Sequence, residues 1–179
     1  MAGGAGVSGF APWQQRTLDG ALASLAEGRL GHALLFSGAA QMGKGEVALR
    51  LAQRLLCTTP GPDGQACGRC RACQLFAAGT HPDFRFTSFI PNDKGDKLRS
   101  EIIVDQMRDL GHWFSLTPQM GAAQVALITP AEAMNASAAN ALLKTLEEPS
   151  RDRYLLLVTD RPGRLPATIR SRCQRLEFR

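Results

Sequence analysis

The sequence predicts an α/β fold: one mostly parallel sheet with helices on both of its faces. Three observations predict it. Short apolar runs alternate with longer stretches of helical periodicity, the pattern of strands joined by crossover helices. The runs are compact and apolar, as strands buried inside such a sheet are. The first of them leads through a glycine-rich turn straight into a helical stretch, an arrangement that presents backbone N–H groups to a phosphate at a helix N-terminus. At 179 residues the chain can bury one good core, so a single domain is expected over residues 13–179.

The elements follow in order. Residues 1–12, MAGGAGVSGFAP, lack the basic and apolar regions of a secretory signal and read as a flexible arm. Trp13–Glu27 places Leu18, Leu22 and Leu25 on one helical face and runs into Gly28 and Gly31. His32–Ser37 is the first buried strand. Past the glycine-rich turn, Val47, Leu51 and Leu55 continue a helical face up to Cys57. The segment TTPGPDGQACGRC is too rich in Pro and Gly for a regular element. Arg71–Ala78 forms a short helix ended by Gly79, and Asp83–Ser88 alternates Phe84 and Phe86 with polar neighbours as a strand does.

The charged stretch Asn92–Arg99 reads as a solvated, mobile connection. Val104–Leu116 is a helix with Asp105 near its positive end. Gln124–Thr129 is a strand. Asn135 caps a helix, Ala138–Leu146, that Pro149 stops. Tyr154–Thr159 is a further buried strand and Arg175–Phe178 a last one.

The glycine-rich turn, SGAAQMGKG at Ser37–Gly45, nearly fits G-x-x-x-x-G-K-[ST], the P-loop. Gly38, Gly43 and Lys44 match. Gly45 stands where a hydroxyl should hold Mg²⁺, and it has no side chain. A working site also needs a carboxylate after a neighbouring strand. Here Val125–Ile128 is followed by Thr129 and Pro130, which cannot ionise. Glu132 and Asp160 lie past the point to which such a strand end would aim them. Both metal-holding parts are missing together, so the chain is expected not to hydrolyse ATP and to bind nucleotide weakly or not at all.

Cys57, Cys67, Cys70 and Cys73 form C-x₉-C-x₂-C-x₂-C, a spacing that suits a closed, four-thiolate structural zinc site. An iron–sulfur cluster uses similar spacing, but its usual fourth ligand followed by proline is absent. A redox pair is the third alternative. A loop this poor in apolar residues would draw much of its folding energy from the metal. Cys173 stands far off and reads as a small buried or half-buried side chain.

A net charge of +5 permits contact with nucleic acid without establishing it, and no aromatic-interleaved basic run marks a single-strand groove. His32, His81 and His112 make no hydrolase pattern with one another. No apolar run approaches the roughly 18 residues of a membrane span. Near the end, Arg161, Arg164, Arg170 and Arg172 form a basic stretch. Their spacing is equally that of surface arginines and of a stretch holding one arginine finger.

The cysteine loop with QLFAAGTHPDF, then NALLKTLEEP (Asn140–Pro149) and LPATIRSRC (Leu165–Cys173), resembles the bacterial clamp-loader subunits of DNA polymerase III, members of the AAA+ class of P-loop proteins. The resemblance runs from about Trp13 to the last residue. It implies a zinc site at Cys57, Cys67, Cys70 and Cys73, and a sensor position at Thr159. It also implies that Arg172, in SRC, reaches the ATP site of an adjacent motor subunit. Motor subunits (gamma/tau) carry an intact lysine–threonine loop and an acidic pair, which Gly45, Thr129 and Pro130 replace here. The departure matches the non-hydrolysing stator of the loader. The implied partners are gamma/tau and delta in a ring that acts on the sliding clamp and primed DNA in the bacterial cytoplasm. The family's lid and collar domains are expected to lie outside this chain. A gamma/tau-type motor ATPase and a zinc-ribbon nucleic-acid module are the alternatives.

Overall fold

The computed structural model describes residues 9–179 apart from Pro149. Its helices are α1 (Pro12–Ala26), α2 (Lys44–Leu56), α3 (Arg71–Ala77), α4 (Val104–Phe114), α5 (Ala136–Glu147) and a short α6 (Ala167–Arg170). Its strands are β1 (Ala33–Ser37), β2 (Phe84–Thr87), β3 (Gln124–Ile128), β4 (Arg153–Thr159) and β5 (Gln174–Glu177). The strands form one sheet in the order β2-β3-β4-β1-β5, every neighbouring pair parallel. The expected α/β fold is the one observed.

The two-sided core follows from strand geometry, because successive side chains point to opposite faces. Leu34 and Phe36 of β1, Val125 and Leu127 of β3, and Leu156 and Val158 of β4 pack with α1 and α2. Leu35, Ala126, Ile128, Leu155 and Leu157 take the other face, under α4, α5 and Ile169 of α6. Five consecutive buried residues in β1 and again in β3 explain their unbroken apolar runs. The edge strands β2 and β5 are only partly buried and correspondingly mixed in sequence.

Local signals account for several boundaries. The Asn135 side chain accepts the Ala138 N–H and starts α5. Gln14 reaches back to accept the Ala11 N–H ahead of α1, and Gln106 does the same for Ile103 ahead of α4. The stop expected at Pro149 falls on a residue outside those described.

The structure adds to two expectations and shows one element that was not foreseen. Of the arm expected over residues 1–12, residues 1–8 lie outside the described residues. Pro12 already belongs to α1, Phe10 packs against the core under α1 and α2, and Arg50 sits over its ring. The stretch Asn92–Arg99 is largely exposed, as a solvated connection is, and it also bonds to itself. It doubles back, with Asn92 N–H donating to Lys97 and Arg99 N–H to Ile90, and Arg99 pairs with Asp93. Periodicity gave no sign of α6, whose single turn is too short to show one.

Candidate functional site

The phosphate-loop residues meet at the carboxyl edge of the sheet. Gly38 follows β1, and Gly43 caps α2 in the left-handed conformation (φ 74°). That backbone conformation strains any other residue at Gly43, and a Cβ would also displace the Gln14 side-chain nitrogen, 1.7 Å away. At Gly38 a Cβ would stand 2.7 Å from the Phe178 carbonyl oxygen. Gly45 is different. A Cβ there meets nothing within 4 Å, so the missing hydroxyl is not excluded by space.

Lys44 does not project into an open cradle. Its side chain is 3% exposed, its ammonium lies 2.6 Å from Asp160 Oδ1, and it donates to the Ala39 carbonyl at 2.5 Å. The expectation that Asp160 lies out of position is therefore corrected. Ser37 is paired with Thr159, so the residue after Thr159 emerges beside the loop that follows Ser37. Thr159 itself is buried, and its hydroxyl accepts the Arg161 N–H. Glu132 comes to the same edge and accepts the Asp160 N–H at 3.4 Å. Thr129 and Pro130 follow β3 as expected, and neither brings a carboxylate.

The four cysteines converge. Their sulfur atoms all lie within 4.8 Å of one another, with Cys57 to Cys70 at 3.9 Å and Cys67 to Cys73 at 4.0 Å. Four thiolates about a tetrahedral Zn²⁺ at 2.3 Å stand about 3.8 Å apart, whereas a disulfide needs about 2.05 Å. The donor set and spacing thus fit a structural zinc ion, and none of the five cysteines is disulfide-bonded.

The chain places these sulfurs by simple means. Cys57 ends α2, Cys70 caps α3, and Cys73 lies in its first turn. Gly68, at φ 72°, turns the backbone so that the N–H groups of Arg69 and Cys70 both donate to Cys67 Sγ. Arg54 donates to the Gly64 carbonyl and ties the loop to α2. A hydrogen bond from Thr59, with others from Arg69 and Cys70, lowers the Cys67 thiol to about 7. Desolvation raises the Cys70 thiol, but donors from Cys73 and Thr58 outweigh it and bring it to about 5. Burial pushes Cys73 up to about 12. A divalent cation held by the four sulfurs would favour their thiolate forms. Cys173, half-buried as expected, is pushed up to about 11 by burial, the state of an unreactive thiol.

Arg172 lies in the turn between α6 and β5. One guanidinium nitrogen donates to the Thr168 carbonyl at 2.8 Å and another pairs with Glu147 Oε1 at 2.9 Å. β5 runs parallel to β1, so its first residue is at the amino edge of the sheet, opposite the phosphate loop. Five residues of β1 separate the two edges, roughly 17 Å. Arg172 and Lys44 therefore cannot serve one phosphate. Of the other arginines, Arg170 donates to the Leu165 carbonyl. The histidines stay apart in function. His32 contacts the Leu146 carbonyl, and buried His81 accepts the Asp83 N–H, while burial lowers its pKa despite the nearby Asp83 carboxylate. Sequence reasoning missed Asp160 and Glu147 as site residues. Asp160 was detectable in principle as the acid that ends a buried strand, and Glu147 carried no such signal.

Comparison with known proteins agrees with this geometry. The family described as "DNA polymerase III, delta subunit" matches residues 13–179. The delta′ subunit of DNA polymerase III from Pseudomonas aeruginosa is 49% identical over 164 residues, covering 90% of this chain and 46% of that protein. The delta′ subunit of Escherichia coli is 39% identical over 163 residues, covering 91% and 47%. The tau subunit of Escherichia coli is 37% identical over 160 residues, covering 89% and 23%. The chain thus spans about half the length of the delta′ relatives it matches. A crystal structure of a DNA polymerase III gamma subunit-related protein from Thermotoga maritima shares the fold. Its TM-score is 0.64 at 23% identity, over 93% of this chain and 46% of that one. No helix among the described residues is long and apolar enough to cross a membrane. On the family match and these identities, the chain belongs to the DNA polymerase III delta′ subunit family.

Proposed function

We propose that this chain is the non-hydrolysing stator of a bacterial clamp loader, helping to load the sliding clamp onto primed DNA. It assembles with gamma/tau-type motor subunits and a delta subunit in a hetero-oligomeric ring in the cytoplasm, and Arg172 acts as an arginine finger on a neighbour's ATP. The observation that carries the reading is the placement of Arg172 and the phosphate loop on opposite edges of one sheet. A guanidinium there can act only on a nucleotide held by another subunit. The absence of a hydroxyl at Gly45 and of carboxylates at Thr129 and Pro130 supports the other half, that this chain has no ATPase of its own. Zn²⁺ held by Cys57, Cys67, Cys70 and Cys73 is structural, because four thiolates leave no position open for chemistry.

The test is Arg172→Ala in the full-length subunit of a reconstituted loader, reading ATP turnover stimulated by clamp and primed DNA. Loss of a finger is expected to lower turnover at the adjoining site about tenfold or more with assembly intact. Unchanged turnover would reduce Arg172 to a packing residue. The tau relative favours a second reading, a motor ATPase. That reading predicts Mg²⁺-dependent turnover by this chain alone, lost in Lys44→Ala, and no turnover at millimolar ATP dismisses it.

A further inference from the structure

We propose that the Asp160 carboxylate occupies the role of a phosphate at Lys44, so that the loop is closed to polyphosphates by an ion pair internal to the chain. This goes beyond the loss of magnesium ligands, which removes the metal but does not by itself close a lysine and its backbone donors to an anion. It also does not depend on the loader assignment.

A P-loop binds because its lysine and its backbone donors lack a counter-charge until the ligand arrives. Here the counter-charge is already present. The Lys44 ammonium is buried, 2.6 Å from Asp160 Oδ1, with the Ala39 carbonyl accepting a second hydrogen bond. Asp160 is held at this place by the pairing of Thr159 with Ser37 and by the bond from its own N–H to Glu132. Its side chain remains 49% exposed, so solvent and an approaching anion reach it, whereas the Lys44 ammonium is buried. A phosphate approaching the loop meets this negative charge before it meets the ammonium. A second carboxylate reinforces the effect. Glu46, in the first turn of α2, accepts from Gln14, which also contacts the Gly43 carbonyl. Two acids and no unpaired ammonium make a loop of the right trace with the wrong charge.

The asymmetry of burial makes the idea testable. Removing the Asp160 charge leaves a buried ammonium without a partner, and an added anion can then take the empty place. The experiment is thermal unfolding of the full chain as wild type, Asp160→Asn and Asp160→Asn with Lys44→Met, each titrated with sodium pyrophosphate against matched ionic strength. The wild type under pyrophosphate also corrects for any sequestration of zinc. Asp160→Asn is expected to melt lower and to recover with pyrophosphate, binding it about 100-fold more tightly than the wild type, since a ligand that binds only the folded state raises its stability. Lys44→Met in that background abolishes the recovery. A wild type stabilised as strongly as the variant overturns the proposal, and so does an Asp160→Asn protein that pyrophosphate leaves unmoved. Asp160→Ser is the second variant. If both variants fail to fold even in pyrophosphate, the proposal falls as well, because the anion was expected to restore the fold.

Discussion

The phosphate loop and the cysteine module are both inherited binding geometries, and they differ in where their charges are satisfied. At the loop, the backbone trace survives, with Gly43 left-handed and Lys44 in place, but the lysine finds its anion within the chain. At the module, four sulfurs stand at metal-binding separations, and a divalent cation would balance their charge. The backbone N–H groups that donate to Cys57, Cys67 and Cys70 favour their thiolates, whereas burial pushes the Cys73 thiol up. Between these two sites, the loop's lysine carries its own counter-charge, whereas a metal ion would supply the charge that the four sulfurs need. The better-known motif is thus the one neutralised from within, and the plain cysteine loop is the one whose donor set fits a metal ion.

The largest effect should come from the module. Stripping metal with a chelator, or Cys70→Ala, is expected to reduce bound zinc from about one per chain to near none and to lower amide-exchange protection over residues 58–77 about 100-fold or more. A module that keeps its protection without metal would erase the contrast with the loop.

The loop should respond less, and unevenly. Asp160→Asn strands a buried ammonium and is expected to cost about 1–3 kcal/mol, less than a fully buried pair because Asp160 is half exposed. Lys44→Met leaves only that half-exposed acid and should cost about 1 kcal/mol or less. Chemical denaturation of the two variants reads the difference. Equal losses would mean that the pair is an ordinary surface contact.

Most of the fold was legible because burial on both faces writes itself as uninterrupted apolar runs, as in Ala33–Ser37 and Gln124–Ile128. The cysteines were legible because their chelating spacing is local. Asp160 was not, because its meeting with Lys44 depends on the register of β4 against β1, which joins residues more than a hundred positions apart. Glu147 and Arg172 were hidden for the same reason, one ending α5 and the other preceding β5. The internal bonds of Asn92–Arg99 were not legible because composition speaks to solvation, not to whether a loop bonds to itself.

The smallest prediction concerns Gly45. Since a side chain there meets open space, Gly45→Ala should stabilise α2 by about 0.5 kcal/mol, read as a small rise in melting temperature. A loss instead would show that the loop needs the backbone freedom of glycine after Lys44.

The contact of Phe178 with Gly38 has a mechanical meaning. The Phe178 N–H is bonded to the Ser37 carbonyl, its ring packs near Phe36, and its own carbonyl lies against the spot where a Gly38 Cβ would be. Parallel hydrogen bonds between β1 and β5 load in shear when the chain is pulled along its length. A tug on Phe178 is therefore delivered first to the turn at Gly38, and the glycine-rich loop is the anchor point for force on β5.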